Sequence, residues 1–360
     1  MERIIMMDKN TINQCSVVLT RNCNLRCNFC YVKNAGYCEN EIVSFENLKK
    51  IVDFCCDAKV KYMFFTGGEP LLYPYLNDIL VYIKEKEHPI ATAIATNGVL
   101  LENIHFSKRL MDSGLDYIDV SMKGRNSQEW INTTGYDGYI KQQKAIKNLS
   151  SLQMEFTCSM VVTLENVYSL CDSVKTVFEN GAKQFSFTFV IDNDKNIDTN
   201  VPYMENHNPF KLIEAFISQM EQLNNITNEW WIEYSFPLCV YTKKQLHLLK
   251  GRMATPCQIH KKNAITFDTQ LNLLPCDMYF DRKIGKLGKD FASVNDFLEL
   301  RKNNPYKNTI EDISRLPSEK CVNCEYFDKC YGGCPVLWNN YSFDELRAYK
   351  ERLTKVGDVR

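Results

Sequence analysis

Residues 14–31 read QCSVVLTRNCNLRCNFCY. The apolar, β-branched run from Cys15 to Leu19 has the composition of a buried strand, and it stops at Thr20, Arg21 and Asn22, where a polar loop begins. That loop carries Cys23, Cys27 and Cys30 in the spacing C-x3-C-x2-C. Three thiolates on one short loop can hold three irons of a cubane and leave the fourth iron open to a non-protein ligand. A closed electron carrier or a structural zinc site uses four protein ligands instead. For the motif alone, a zinc knuckle or three buried cysteines are the plainer alternatives.

The strand signal recurs in KYMFFT, IATAIAT, DYIDVS, EFTCSMVVT and KQFSFTFV, near residues 61, 90, 116, 155 and 183. Between these runs, stretches such as Ser44 to Ala58 and Asn166 to Gly181 place apolar residues at i, i+3 and i+4, with Ser44 and Gly181 as caps. Strands alternating with helices predict a parallel sheet with right-handed crossovers. The chain is therefore read as α/β: a partial (β/α)6 TIM-type barrel followed by a small α+β cysteine-rich auxiliary cluster domain. The expected divisions are 12–235 for the barrel, 236–345 for the auxiliary domain and 346–360 for a carboxyl-terminal helical tail. Residues 191–209 are polar and turn-rich, and a helix is expected from about Phe210 to Leu223.

The loops after the next three strands carry further signals. Gly67, Gly68, Glu69 and Pro70 follow the second strand, Thr96, Asn97 and Gly98 the third, and Ser121 lies in DVSMKG at the end of the fourth. Glycines permit close approach of backbone to a ligand, and a carboxylate at a strand end can accept bonds from an ammonium group. Each segment alone could be ordinary turn chemistry. In their joint order on successive strand ends, after the cysteine loop with its Phe29 and Tyr31, they resemble the radical S-adenosylmethionine (radical SAM) superfamily over residues 15 to about 190. The resemblance implies a [4Fe-4S] cluster at Cys23, Cys27 and Cys30, with SAM bound by Phe29, Gly67, Gly68, Glu69, Pro70, Asn97 and Ser121. Lys123 stands where the family has an aspartate.

In the carboxyl third, CVNCEYFDKCYGGCP holds Cys321, Cys324, Cys330 and Cys334, and upstream Cys257 and Cys276 flank a probable hairpin, NAITFDTQLNLLPC. A four-cysteine zinc site is the simpler reading of 321–334 by itself. With the first motif present, the arrangement resembles the SPASM extension of peptide- and protein-modifying radical SAM enzymes, which implies one or two auxiliary [4Fe-4S] clusters. Cys257, Cys276 and Cys334 would hold the first, and Cys321, Cys324 and Cys330 the second. Leu271 replaces the family's hairpin glycine, so a different turn is expected. No cysteine follows Cys334. The second cluster would then take Asp344, Glu345 or Cys239 as a further ligand, or be incomplete or absent. Cys15, Cys38, Cys55, Cys56, Cys158 and Cys171 lack ligand spacing and read as small buried hydrophobes.

Composition agrees. Sixteen cysteines in 360 residues, without a signal peptide, point to metal-bound or buried thiols rather than disulfides. With only five histidines, metal sites would be thiolate-rich. Net charge is −1, from 43 basic and 44 acidic residues, which gives no general pull toward nucleic acid or an anionic membrane. No run of about 18 apolar residues occurs, so the chain is expected in the cytoplasm without a membrane span.

The resemblance implies a radical SAM oxidoreductase that uses a 5′-deoxyadenosyl radical to oxidise or cross-link a side chain in a peptide or protein substrate. Sulfatase maturation is one variant. Asp277, directly after Cys276, occupies the position of a proposed general base in anaerobic sulfatase-maturing enzymes, although a turn aspartate is the plainer reading. An external electron donor such as flavodoxin or ferredoxin is implied. Only about fourteen residues precede the first strand, so a leader-binding domain is not expected here, and a separate leader-binding protein or the barrel mouth would serve. The rival readings are a radical SAM dehydrogenase or epimerase of a small polar metabolite, such as an aminocyclitol or sugar, and a non-enzymatic iron-sulfur carrier or sensor.

Overall fold

The computed structural model describes residues 11–191, 207–234, 236–253 and 257–357. The six expected strands are present: β1 (Gln14–Arg21), β3 (Tyr62–Gly67), β4 (Ala91–Thr96), β5 (Tyr117–Met122), β6 (Phe156–Val162) and β7 (Phe185–Phe189). They lie side by side in that order and pair in parallel throughout. A short strand unread in the sequence, β2 (Cys38–Ile42), runs antiparallel to β1 after the cysteine loop. Helices cross over between strands at Phe45–Asp57, Leu76–Lys84, Ile104–Asp112, Tyr139–Ser151 and Leu170–Glu179. The first begins where expected: Ser44 Oγ accepts the Asn47 N–H at 3.2 Å, satisfying one of the unpaired amides of the first turn. It buries Leu48, Ile51, Val52, Phe54 and Cys55 against the sheet. Gly181, just past the last of these helices, has φ +100°, as a glycine beyond a helix end commonly does.

The sheet extends past six strands on both sides. At one edge β8 (Trp230–Tyr234) adds in parallel to β7. At the other, β9 (Ala264–Phe267) pairs in parallel with β1, and β10 (Asn272–Leu274) and β11 (Gly285–Lys286) continue antiparallel. The cysteine-rich third is thus joined to the barrel through backbone hydrogen bonds. The helix expected over 210–223 is two helices, Pro209–Ser218 and Met220–Ile226. Of the polar stretch 191–209, residues 192–206 lie outside the described residues.

Two expectations are corrected. Leu271 itself has φ +67°, so the hairpin keeps the left-handed position without a glycine. Its side chain is 6% exposed, and burial offsets the backbone strain. Cys15, Cys55, Cys158 and Cys171 are buried as expected, whereas Cys56 is half-buried and Cys38 is exposed on the edge strand β2. No helix among the described residues is long and apolar enough to cross a membrane.

Candidate active site

The cysteine loop leaves the carboxyl end of β1, and the glycine loop after β3 is bonded to it. Gly68 N–H donates to Thr20 O at 2.8 Å and Glu69 N–H to Asn22 O at 2.8 Å. A β-carbon at Gly67, where φ is +130°, would stand 2.2 Å from Thr20 O, and one at Gly68 would stand 2.1 Å from Asn22 O. Only glycine fits at either position. Pro70 then opens a single 3-10 turn, Pro70–Leu72.

Glu69 is 1% exposed. Its Oε1 accepts from Leu71 N–H (3.0 Å) and Thr96 Oγ1 (2.7 Å), and its Oε2 accepts from Asn97 N–H (2.8 Å). The carboxylate therefore ties the glycine loop to the Thr96–Gly98 loop. Burial raises its pKa, opposed by these donors and by nearby Lys123. Asn97 continues the chain of contacts, its Nδ2 donating to Asn24 Oδ1 at 2.8 Å. Ser121 Oγ accepts from Lys123 Nζ at 2.7 Å, and the ammonium lies 5.3 Å from the centre of the Phe29 ring. Phe29 packs with Leu25, Val99 and Trp130.

Cys23, Cys27 and Cys30 lie close enough to sense one another's charge. Burial pushes Cys23 up to about 12, although its sulfur accepts the Leu25 N–H at 3.4 Å. In the carboxyl third, Cys257, Cys276 and Cys334 form a second such group, and Cys321, Cys324 and Cys330 a third. Backbone amides point at sulfur here too: Met278 N–H at Cys276 (3.3 Å) and Tyr326 N–H at Cys324 (3.5 Å). Crowded, buried thiols resist ionisation unless a cation stands among them, which bound iron supplies. Among the described residues, no three His, Cys, Asp or Glu converge on one point as a single ion requires. A cluster that takes one thiolate per iron needs no such convergence, and the donor set fits iron-sulfur ligation.

Asp277 is brought to the first loop. The Tyr31 hydroxyl donates to Asp277 Oδ2 at 3.0 Å and lies 3.2 Å from Thr66 Oγ1. Both residues border a cavity of about 150 Å³ together with Gly67, Arg21 and Glu41. Burial raises the pKa of Asp277, with the Tyr31 hydrogen bond opposing.

Three contributors escaped the sequence reading. Tyr31 registered only as an aromatic neighbour of the motif. Tyr37 lies beside Cys30, and its ring is 4.2 Å from the Arg26 guanidinium. Gln142, fully buried, donates through Nε2 to Asn97 O (2.8 Å) and Ser121 O (3.0 Å), holding two loops together. Its signal was present: it shares the apolar face of its helix with Ala145, Ile146 and Leu149.

A partial barrel whose strand ends carry three clustered thiols beside a buried glutamate and paired glycines defines a class. Residues 17–169 match the model of the radical SAM superfamily. Members of that superfamily use S-adenosyl-L-methionine and a [4Fe-4S] cluster, which the clustered thiols at the end of β1 fit. Among curated proteins, the antilisterial bacteriocin subtilosin biosynthesis protein AlbA of Bacillus subtilis (strain 168) is 32% identical over 177 residues, covering 48% of this chain and 38% of AlbA. A probable GTP 3′,8-cyclase of Methanococcus maripaludis is 27% identical over 164 residues, 44% of this chain and 54% of the cyclase. The chain thus spans about half or less of these relatives. Among solved structures, Streptococcus suis SuiB bound to precursor peptide SuiA superimposes with a TM-score of 0.69 at 18% identity, covering 94% of this chain and 76% of SuiB. The AdoMet-bound anSMEcpe gives 0.66 at 19% identity, covering 97% and 96%. These likenesses show a shared fold.

Proposed function

We propose that this enzyme is an oxidoreductase that oxidises or cross-links a side chain in a peptide or protein. The observation that carries the reading is the buried Asp277 carboxylate, hydrogen-bonded to Tyr31 of the first cysteine loop and adjacent in sequence to Cys276. A base in that place stands between a radical-generating centre and an electron acceptor. AlbA, a bacteriocin biosynthesis protein, and SuiB, crystallised with a precursor peptide, support a peptide substrate.

In this reading Cys23, Cys27 and Cys30 hold the [4Fe-4S] cluster, Cys257, Cys276 and Cys334 a first auxiliary cluster, and Cys321, Cys324 and Cys330 a second. Residues 12–235 form the radical SAM unit, 236–345 the auxiliary unit and 346–360 a helical tail. When bound, the cluster and SAM supply a carbon radical able to remove hydrogen from a substrate C–H bond. The residues of the chain do the rest. Glu69 receives the SAM ammonium, and Gly67 and Gly68 let the backbone approach it. Phe29, Pro70, Asn97 and Ser121 shape the site. Tyr31 orients Asp277, which accepts the proton that must leave when a substrate radical is oxidised. Flavodoxin or ferredoxin would deliver electrons from outside, and a separate leader-binding protein would present the peptide. Sixteen cysteines, none of them in a disulfide, suit the cytoplasm.

The test is anaerobic incubation of the reconstituted enzyme with SAM, a reductant and candidate peptides encoded beside its gene, followed by mass analysis. Loss of two hydrogens is expected. Inverted stereochemistry at unchanged mass would replace oxidation with epimerisation. The resemblance to GTP 3′,8-cyclases supports a second reading, a small polar metabolite as substrate, which consumption of such a compound with no peptide product would establish.

A further inference from the structure

We infer that Cys239 is the fourth thiolate of the outer auxiliary cluster, in place of the cysteine absent after Cys334. This rests on the reading of Cys321, Cys324 and Cys330 as cluster ligands.

A cavity of about 850 Å³ lies in the carboxyl third, and Cys239, Cys321, Cys324 and Cys330 all border it. Three of the four come from one 10-residue stretch, 321–330. Cys239 comes from the 3-10 turn Leu238–Val240, which follows β8, so the chain itself crosses back to complete the group. The neighbouring residue confirms the register: Leu238 N–H donates to Cys330 Sγ at 3.4 Å. Cys239 is exposed where it borders this cavity, and it lies close enough to Cys330, Cys321 and Cys324 to feel the charge of each. The turn is fixed from the other side by the helix Phe343–Gly357, whose Lys350 Nζ donates to Cys239 O and Tyr241 O at 2.7 Å each.

The carboxylate candidates are placed differently. Asp344 and Glu345 are exposed at the start of that helix and do not border the cavity. Glu351 borders it but is paired with Arg347 at 2.9 Å. Sulfur is also the better ligand for an iron-sulfur cluster than a carboxylate. Four thiolates close this cluster coordinatively, which suits it to electron transfer and leaves the group at Cys257, Cys276 and Cys334, with three thiolates, as the auxiliary site with a free position.

The experiment compares full-length holoenzymes reconstituted anaerobically: wild type, Cys239→Ala, Cys239→Ser, Asp344→Ala, Glu345→Ala, Cys38→Ala, and the triple variant Cys321→Ala/Cys324→Ala/Cys330→Ala. The readouts are iron per chain and low-temperature EPR of the reduced protein, with circular dichroism as the check on folding. Cys239→Ala is expected to lose the iron of one cluster, about four atoms per chain, or to convert its signal to a three-iron one, as the triple variant loses it. Cys239→Ser, which keeps the shape with a poorer ligand, should shift the same signal. Asp344→Ala, Glu345→Ala and the exposed Cys38→Ala should match wild type. Unchanged iron and EPR in both Cys239 variants would overturn the inference, as would loss in a carboxylate variant or in Cys38→Ala. If the triple variant also keeps all its iron, the failure belongs to the auxiliary-cluster reading rather than to Cys239.

Discussion

At the scale of single residues, Glu69 ties two loops and, in the proposed function, also receives the SAM ammonium, and an experiment can separate the two. Its three protein donors fix the loops, and Oε2, with one of them, retains a lone pair for a ligand ammonium. Glu69→Ala should weaken SAM binding by roughly 1.5–3 kcal/mol, the range for a charge-assisted bond, as measured by calorimetry on reconstituted enzyme. It should also lower the melting temperature, because Thr96 and two amides lose their acceptor. Unchanged SAM affinity with a lowered melting temperature would show that the glutamate is only a loop tie. A second buried carboxylate has a pH signature. Asp119, on β5 and bonded by Ser159 Oγ at 3.1 Å, is pushed up to about 7 by burial and the nearby Glu233, with Ser159 and Lys123 opposing. An unfolded aspartate titrates near about 3.9, so between there and about 7 the folded chain binds the extra proton. Its contribution to stability is therefore greatest at low pH and is lost as the pH rises through that window. Melting curves from pH 4 to 8 should show Asp119→Asn gaining on wild type as the pH rises, and parallel curves would mean that Asp119 ionises normally.

At the scale of elements, the strands that repeat the pattern of an apolar run, a polar loop and an amphipathic helix were legible in the sequence, because a parallel strand buried on both faces needs a continuous apolar run. Of those that do not repeat it, the β9–β10 hairpin was read but its pairing with β1 and the remaining strands were missed. The strand β2 (CENEI) is polar and lies at an edge, β8 is short, and the parallel pairing of β9 with β1 joins segments about 250 residues apart, which no local pattern announces. The β9–β10 hairpin shows why a residue rule failed. Left-handed backbone costs a non-glycine residue roughly 1–2 kcal/mol, whereas removing a buried leucine side chain costs roughly 2–5 kcal/mol. Leu271 is buried, so packing outweighs strain. Leu271→Gly should accordingly destabilise the protein by about 1–3 kcal/mol in denaturant unfolding, despite relieving the backbone. Stabilisation would mean that strain dominates at this turn.

At the scale of the whole molecule, the site joins residues that the sequence keeps far apart: Tyr31 and Asp277 are separated by 246 positions, yet their side chains meet. The individual cysteine motifs were legible because each is local, while this meeting was not, since it depends on β9 returning to pair with β1. Two separable centres follow from the arrangement. Replacing Cys23, Cys27 and Cys30 together by Ala should abolish SAM cleavage while the carboxyl third keeps its iron, as metal analysis would show; zinc in place of iron throughout would defeat the reading. The position of Asp277 then separates two chemical steps. Hydrogen abstraction needs no base, but oxidation of the resulting radical must release a proton, and in the proposed function the carboxylate held by Tyr31 takes it. Asn at 277 can still accept the Tyr31 hydroxyl's hydrogen bond, so the local structure is preserved while basicity is removed. Asp277→Asn should therefore continue to abstract substrate hydrogen, seen as deuterium passing from labelled substrate to 5′-deoxyadenosine, while oxidised product falls by about 10²–10⁴. Tyr31→Phe, which loosens the base without removing it, should lose less product than Asp277→Asn. Product at the wild-type rate in Asp277→Asn would make Asp277 a turn residue and place the base elsewhere.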